Sequence, residues 1–130
     1  MKSIDPLLVK KYDPEKYHCV HFVIDAVQYL LDVDYTENFI GLTSSLHETL
    51  KASRHTAIKN RLRDKDEKPK QGDTVLVTNV NQSSHVGLFY CDRVLHLTEL
   101  GVHFLPIQSI HSIYKRIRFY EPYQSIHESA

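Results

Sequence analysis

Residues 72–105 read GDTVLVTNVNQSSHVGLFYCDRVLHLTELGVHFL, and this stretch decides the fold. Thr74–Thr78 is a short run of β-branched and aliphatic residues, the composition of a strand. Asn79–Ser84 is turn chemistry, because Asn and Ser side chains bond readily to nearby backbone. His85–Tyr90 reads as a second strand and Arg93–Leu97 as a third, with only Cys91-Asp92 between them, a link short enough for a hairpin. Gly101–Leu105 makes a fourth strand. Pro106 ends it, since proline cannot donate to a ladder. Ile107–His111 reads as a helical turn and Ile113–Tyr120 as the last strand.

Upstream of Gly72 the period is helical. Val20, Val23, Ile24, Val27, Leu30 and Leu31 recur at spacings of three and four, which predicts one apolar stripe on a helix over Cys19–Leu31. Asp13-Pro14 is read as its start signal, and Asp32-Val33-Asp34 breaks it. Phe39–Leu62 reads as helical in two pieces, with Thr43-Ser44-Ser45 as a cap, and Asp64–Gln71 as a polar connector. Helices followed by an antiparallel meander predict an α+β fold, with N-terminal helices packed on a C-terminal sheet, in one domain spanning residues 1–130.

Composition narrows the function. Lys plus Arg and Asp plus Glu are equal, at 16 each, which speaks against a dedicated nucleic-acid binder. The run Arg61, Arg63, Lys65, Lys68 and Lys70 is interleaved with Asp64, Asp66 and Glu67 and reads as a solvated face or loop. Two cysteines, Cys19 and Cys91, make no disulfide framework and no zinc knuckle, so neither metal nor cofactor is expected. The apolar run Pro6–Val9 is too short for a signal peptide and no run is long enough to span a membrane. The expectation is synthesis in a cytoplasm, with any action in the periplasm or from a virion depending on delivery by other machinery.

A cysteine at the first turn of a helix meets free N–H groups whose partial positive charge favours thiolate, and a nearby imidazole favours it further. Cys19 has the first feature. A histidine on a facing strand would serve as base, with a third polar group holding its ring. His21, two residues along the helix, points away from Cys19 and reads as structural. Cys91 lies at a hairpin tip and reads as a bystander, Asp73 as a strand-entry or turn residue, and Glu99 as a cleft residue of no fixed role.

Four segments together resemble NlpC-type papain-like cysteine peptidases. Tyr17-His18-Cys19-Val20-His21-Phe22-Val23 is similar to their cysteine-bearing helix start, and Pro69-Lys70-Gln71-Gly72-Asp73 to the entry of their first core strand. Ser83-Ser84-His85-Val86-Gly87-Leu88-Phe89-Tyr90 resembles their His-Val-Gly-Ile-Tyr strand, and Arg93-Val94-Leu95-His96 the strand after it. Where cell-wall members carry Asp-Cys-Ser-Gly, this chain reads His18-Cys19-Val20-His21. The resemblance implies a papain-like core with Cys19 as nucleophile, His85 as base, His96 across the hairpin as its orienting residue, and Tyr12 or Tyr17 at the oxyanion site. It also implies cleavage of amides in peptidoglycan stem peptides, and the bare domain would suit a phage tail or secretion assembly. Two alternatives stand beside it. The Cys-x-His-Phe-Val run is also similar to the lecithin:retinol-acyltransferase-like group, which implies an acyltransferase or thioesterase, although that group has its base before the cysteine. The third alternative is a structural module with an unused site.

Overall fold

The computed structural model describes residues 2–39, 60–81 and 84–122. Its elements in chain order are α1 (Asp5–Leu8), α2 (Cys19–Leu31), a 3-10 turn (Thr36–Phe39), β1 (Asn60–Leu62), β2 (Thr74–Thr78), β3 (Ser84–Tyr90), β4 (Arg93–Thr98), β5 (Gly101–Pro106), α3 (Ile107–Ile113) and β6 (Arg116–Pro122). Mixed helix and antiparallel sheet make this an α+β protein, as the sequence predicts.

α2 begins where its stripe begins and ends at Asp32, whose left-handed backbone (φ 56°) closes it. The start signal is different from the expected one. His18 is the N-cap, its Nδ1 accepting from the Val20 N–H at 3.3 Å, while His21 Nδ1 accepts from the His18 N–H at 3.1 Å. Asp13 instead closes an earlier turn, its carboxylate accepting from the Glu15 and Lys16 N–H groups. His21 therefore has the structural task read for it, as half of a two-histidine capping box.

Among the described residues six strands are ordered β1-β6-β2-β3-β4-β5, each pairing antiparallel. Only β2 to β5 form a meander. After α3 the chain returns to lay β6 along the far side of β2, and β1 pairs outside β6. That return corrects the simple meander, and β1 corrects part of the second helical expectation, because Asn60–Leu62 is strand. Residues 40–59, with most of that expectation and its Thr43-Ser44-Ser45 cap, lie outside the described residues.

The sheet has two covered faces. On one, α2 buries Val20, Phe22, Val23, Ala26 and Val27 against Leu76, Val86, Leu88, Tyr90, Leu95, Leu97 and Tyr120. On the other, α3 contributes Ile110 to a smaller cluster of Val75, Val77, Phe89 and Val94. Strand alternation alone produces this division, since successive residues point to opposite faces.

One part of the charged run is buried. Arg63 Nε and Nη2 donate to the two carboxylate oxygens of Asp73 at 2.5 and 2.9 Å, and both side chains are almost fully covered. The Lys70 N–H adds a bond to the same carboxylate at 3.0 Å. Arg61, by contrast, forms exposed pairs with Glu67 and Glu121. The reading of a solvated face therefore fails at Arg63. The Arg63–Asp73 pair ties the connector to the entry of β2, and Asp73 is indeed the strand-entry residue.

Candidate functional site

Cys19 is the first residue of α2 and is 1% exposed, packed in the α2-side core. Its amide belongs to the first turn, whose N–H groups lack intrahelical partners. His18 caps that turn from a fully buried position, with its ring edge-on to His21 at 4.3 Å between centroids.

His85 lies on β3 opposite Val77 of β2. Val77 belongs to the α3-side cluster, so alternation directs His85 toward that side, while Val86, Leu88 and Tyr90 pack on the α2 side. His96 on β4 sits directly across from His103 on β5. The two-residue turn Cys91-Asp92, with both residues at positive φ (52° and 61°), sets Tyr90 against Arg93 and Leu88 against Leu95. Beyond that pairing Gly87 lies close against His96, and His85 and His96 line the same cavity. Gly87 is what permits the approach, for a Cβ there would stand 2.9 Å from Val94 Cγ1 and 3.0 Å from His96 Cβ.

A cavity of about 470 Å³ gathers several of these groups. Tyr12, His85, His96, His103, Thr98 and Tyr114 line it, with Glu99 and Leu100 at the β4–β5 turn. Cys19 and Tyr17 are not among its lining residues. Tyr12 connects the two regions, because it lines this cavity and also packs against the α2-side core that holds Cys19. Tyr17 is committed elsewhere. Its hydroxyl donates to Asp25 Oδ2 at 2.7 Å, and its ring stacks on His21. Burial and then the Asp25 carboxylate hold that hydroxyl protonated, far above the ordinary phenol range.

His96 is 2% exposed. Its ring stacks on His103 at 5.3 Å between centroids, and its Nε2 lies 3.3 Å from the Tyr114 hydroxyl. Nδ1 of His96 is buried with no hydrogen-bond partner among the described residues. Burial first, then the neighbouring imidazoles of His103 and His85, push His96 down to about 4, so its ring is neutral near pH 7.

His103 and Tyr114 were not singled out from sequence. His103 had a signal: counting back from the Glu99-Leu100 turn, Thr98 pairs with Gly101 and His96 with His103. Tyr114 had none, being 18 residues from His96 and brought there by α3. Among the described residues no set of three or more His, Cys, Asp or Glu is placed to hold a metal ion, and no helix is long and apolar enough to cross a membrane. No protein-family model matches the chain, and no curated protein sequence matches it.

Proposed function

We propose that this chain is a thiol hydrolase with a papain-like core, in which Cys19 attacks a carbonyl and His85 serves as its base. The observation that carries the reading is the combination of Cys19 at the first position of α2 with a histidine-lined cavity that Tyr12 also lines. The alternation of β3 sets a condition on it. The Cys19 sulfur has to meet His85 past the amino end of α2, rather than through the body of the sheet. Tyr12 is the better of the two tyrosines for the oxyanion, since it lines the cavity and Tyr17 does not.

The steps follow from the residue types. His85 takes the thiol proton and the thiolate attacks the carbonyl carbon, with the Cys19 backbone N–H and the Tyr12 hydroxyl facing the developing oxyanion. Protonated His85 gives its proton to the leaving amine, and a thioester remains on Cys19. His85 then activates water, which releases the acid and restores the thiol. The substrate proposed is an amide in a peptidoglycan stem peptide, and the setting a phage tail or secretion assembly.

One observation favours a second reading. Leu100 and Ile113 line the cavity yet are 85% and 55% exposed, an aliphatic rim that suits an acyl chain. On that reading the enzyme is an acyltransferase or thioesterase using the same thioester. Digestion of purified peptidoglycan by wild type and Cys19→Ser separates them. New amine ends and peptide fragments from wild type alone support the amidase. Inert peptidoglycan with turnover of an acyl ester supports the second reading, and inertness toward both, with no effect of Cys19→Ser on biological function, leaves a structural module.

A further inference from the structure

Tyr114 has no part in the hydrolase reading, yet its hydroxyl meets Nε2 of the buried His96 ring, whose Nδ1 has no hydrogen-bond partner among the described residues. It is placed there by the end of α3, where its backbone N–H bonds to the Ile110 carbonyl at 2.9 Å and its ring stands edge-on to His96 at 6.1 Å. His96 is confined on its other side by His103, whose own Nε2 is held by Thr98 Oγ1 at 3.0 Å. The ring can hardly turn, so its two nitrogens have fixed surroundings.

A neutral imidazole carries one N–H and one bare nitrogen. The groups facing His96 are Tyr114 from α3, His103 from β5 and His85 from β3, with Tyr12 and Glu99 on the same cavity; none of the first three is a carboxylate that would hold a second proton on the ring. Burial keeps Tyr114 protonated. A buried N–H with no acceptor is the more costly orphan than a bare nitrogen with no donor. The unpartnered Nδ1 is therefore the bare one, and Nε2–H donates to the Tyr114 oxygen.

We propose that Tyr114 is a positioning residue: by accepting from Nε2–H it fixes the tautomer of His96, so that the bare Nδ1 is reserved for an N–H of His85 when that ring becomes imidazolium. The proposal rests on the hydrolase reading for the role of His85, but not for the tautomer. It explains why a buried nitrogen lacks a partner in the resting protein, since catalytic hydrogen bonds often tighten only when charge develops.

The test uses Tyr114→Phe, which keeps the ring and removes the oxygen, in the full chain with folding checked by its melting temperature. The first readout is the nitrogen-15 spectrum of the His96 ring, assigned with His96→Gln. The expected result is the Nε2–H form in wild type and a mixture of tautomers in Tyr114→Phe. An Nδ1–H form in wild type overturns the proposal. The second readout is the pH profile of Cys19 alkylation by iodoacetamide. Loss of one hydrogen bond worth of support should slow labelling near pH 6 about fivefold while leaving the high-pH plateau unchanged. A purely structural effect would lower the plateau as well, and an unchanged profile overturns the link to His85. If wild-type Cys19 titrates as an ordinary thiol, the hydrolase reading has failed, the His85 half of the proposal falls with it, and the nitrogen-15 result alone decides the Tyr114–His96 half.

Discussion

The two faces of the sheet are built from the same strands and differ in what they bury. The α2 face is closed by aliphatic and aromatic side chains from a 13-residue helix, with Cys19 at its edge. The α3 face is covered by a seven-residue helix and gives way, beyond Val77 and Val94, to a cavity lined by three imidazoles. Alternation lets one strand serve both: Val86, Leu88 and Tyr90 pack under α2, while on the other face Gly87 gives His96 room. One face is a continuous apolar core and the other opens into a polar cavity, and that division can be attacked from either side.

The largest expected effect is on the packed face. Phe22→Ala should cost about 3–5 kcal/mol in urea unfolding, because a fully buried ring leaves a cavity under α2. Leu105→Ala, at a half-buried site on the other face, should cost clearly less. Equal losses would mean that the α3 face is a second core of the same weight.

The next effect sharpens the polar face through pH. His96 titrates near 6.5 when unfolded and near 4 when folded, so as pH falls the unfolded chain takes the proton first. Stability that is full above 6.5 should therefore decline between about 6.5 and 4 and level off below. The decline should amount to about 3 kcal/mol, and His96→Gln should remove that part of it. Glu67, held down to about 2 by its bond from Arg61, contributes only at lower pH, so the wild-type-minus-variant difference isolates His96. Parallel pH curves for the two proteins would show that the ring is not buried as described.

A smaller effect concerns the seam between β3 and β4. Gly87→Ala puts a methyl within 3.1 Å of the Leu95 carbonyl as well as against Val94 and His96. Overpacking there should cost about 1–3 kcal/mol. It should also move the His96 ring signals in the nitrogen-15 spectrum; a destabilised protein with an unmoved ring would detach Gly87 from the placement of His96.

Local pattern made much of this legible. The three-and-four spacing from Val20 to Leu31 located α2, and short strand-type runs between turn signals located β2, β3 and β4 almost to the residue. What local pattern does not carry is partner choice across long separations. The return of β6 to β2, the pairing of β1 with β6, and the burial of Arg63 on Asp73 ten residues away depend on the closed sheet. The same holds for the cavity. His85 and His96 stood out as residue types suited to base chemistry, whereas Tyr114 is an ordinary aromatic until α3 sets it on His96. The hairpin register was readable too, from the two-residue turn at Cys91-Asp92.

The central claim is that Cys19, on one face's edge, is activated by His85 from the other. Its most direct test is the pH midpoint of iodoacetamide labelling at Cys19 and Cys91, followed by mass in wild type and His85→Ala. The midpoint is the quantity to compare, since Cys19 is buried and restricted access slows its labelling at every pH. The account predicts a Cys19 midpoint below that of an ordinary free thiol, rising toward the ordinary value in His85→Ala. Coincident midpoints for the two thiols, or a Cys19 midpoint that ignores His85, would contradict it.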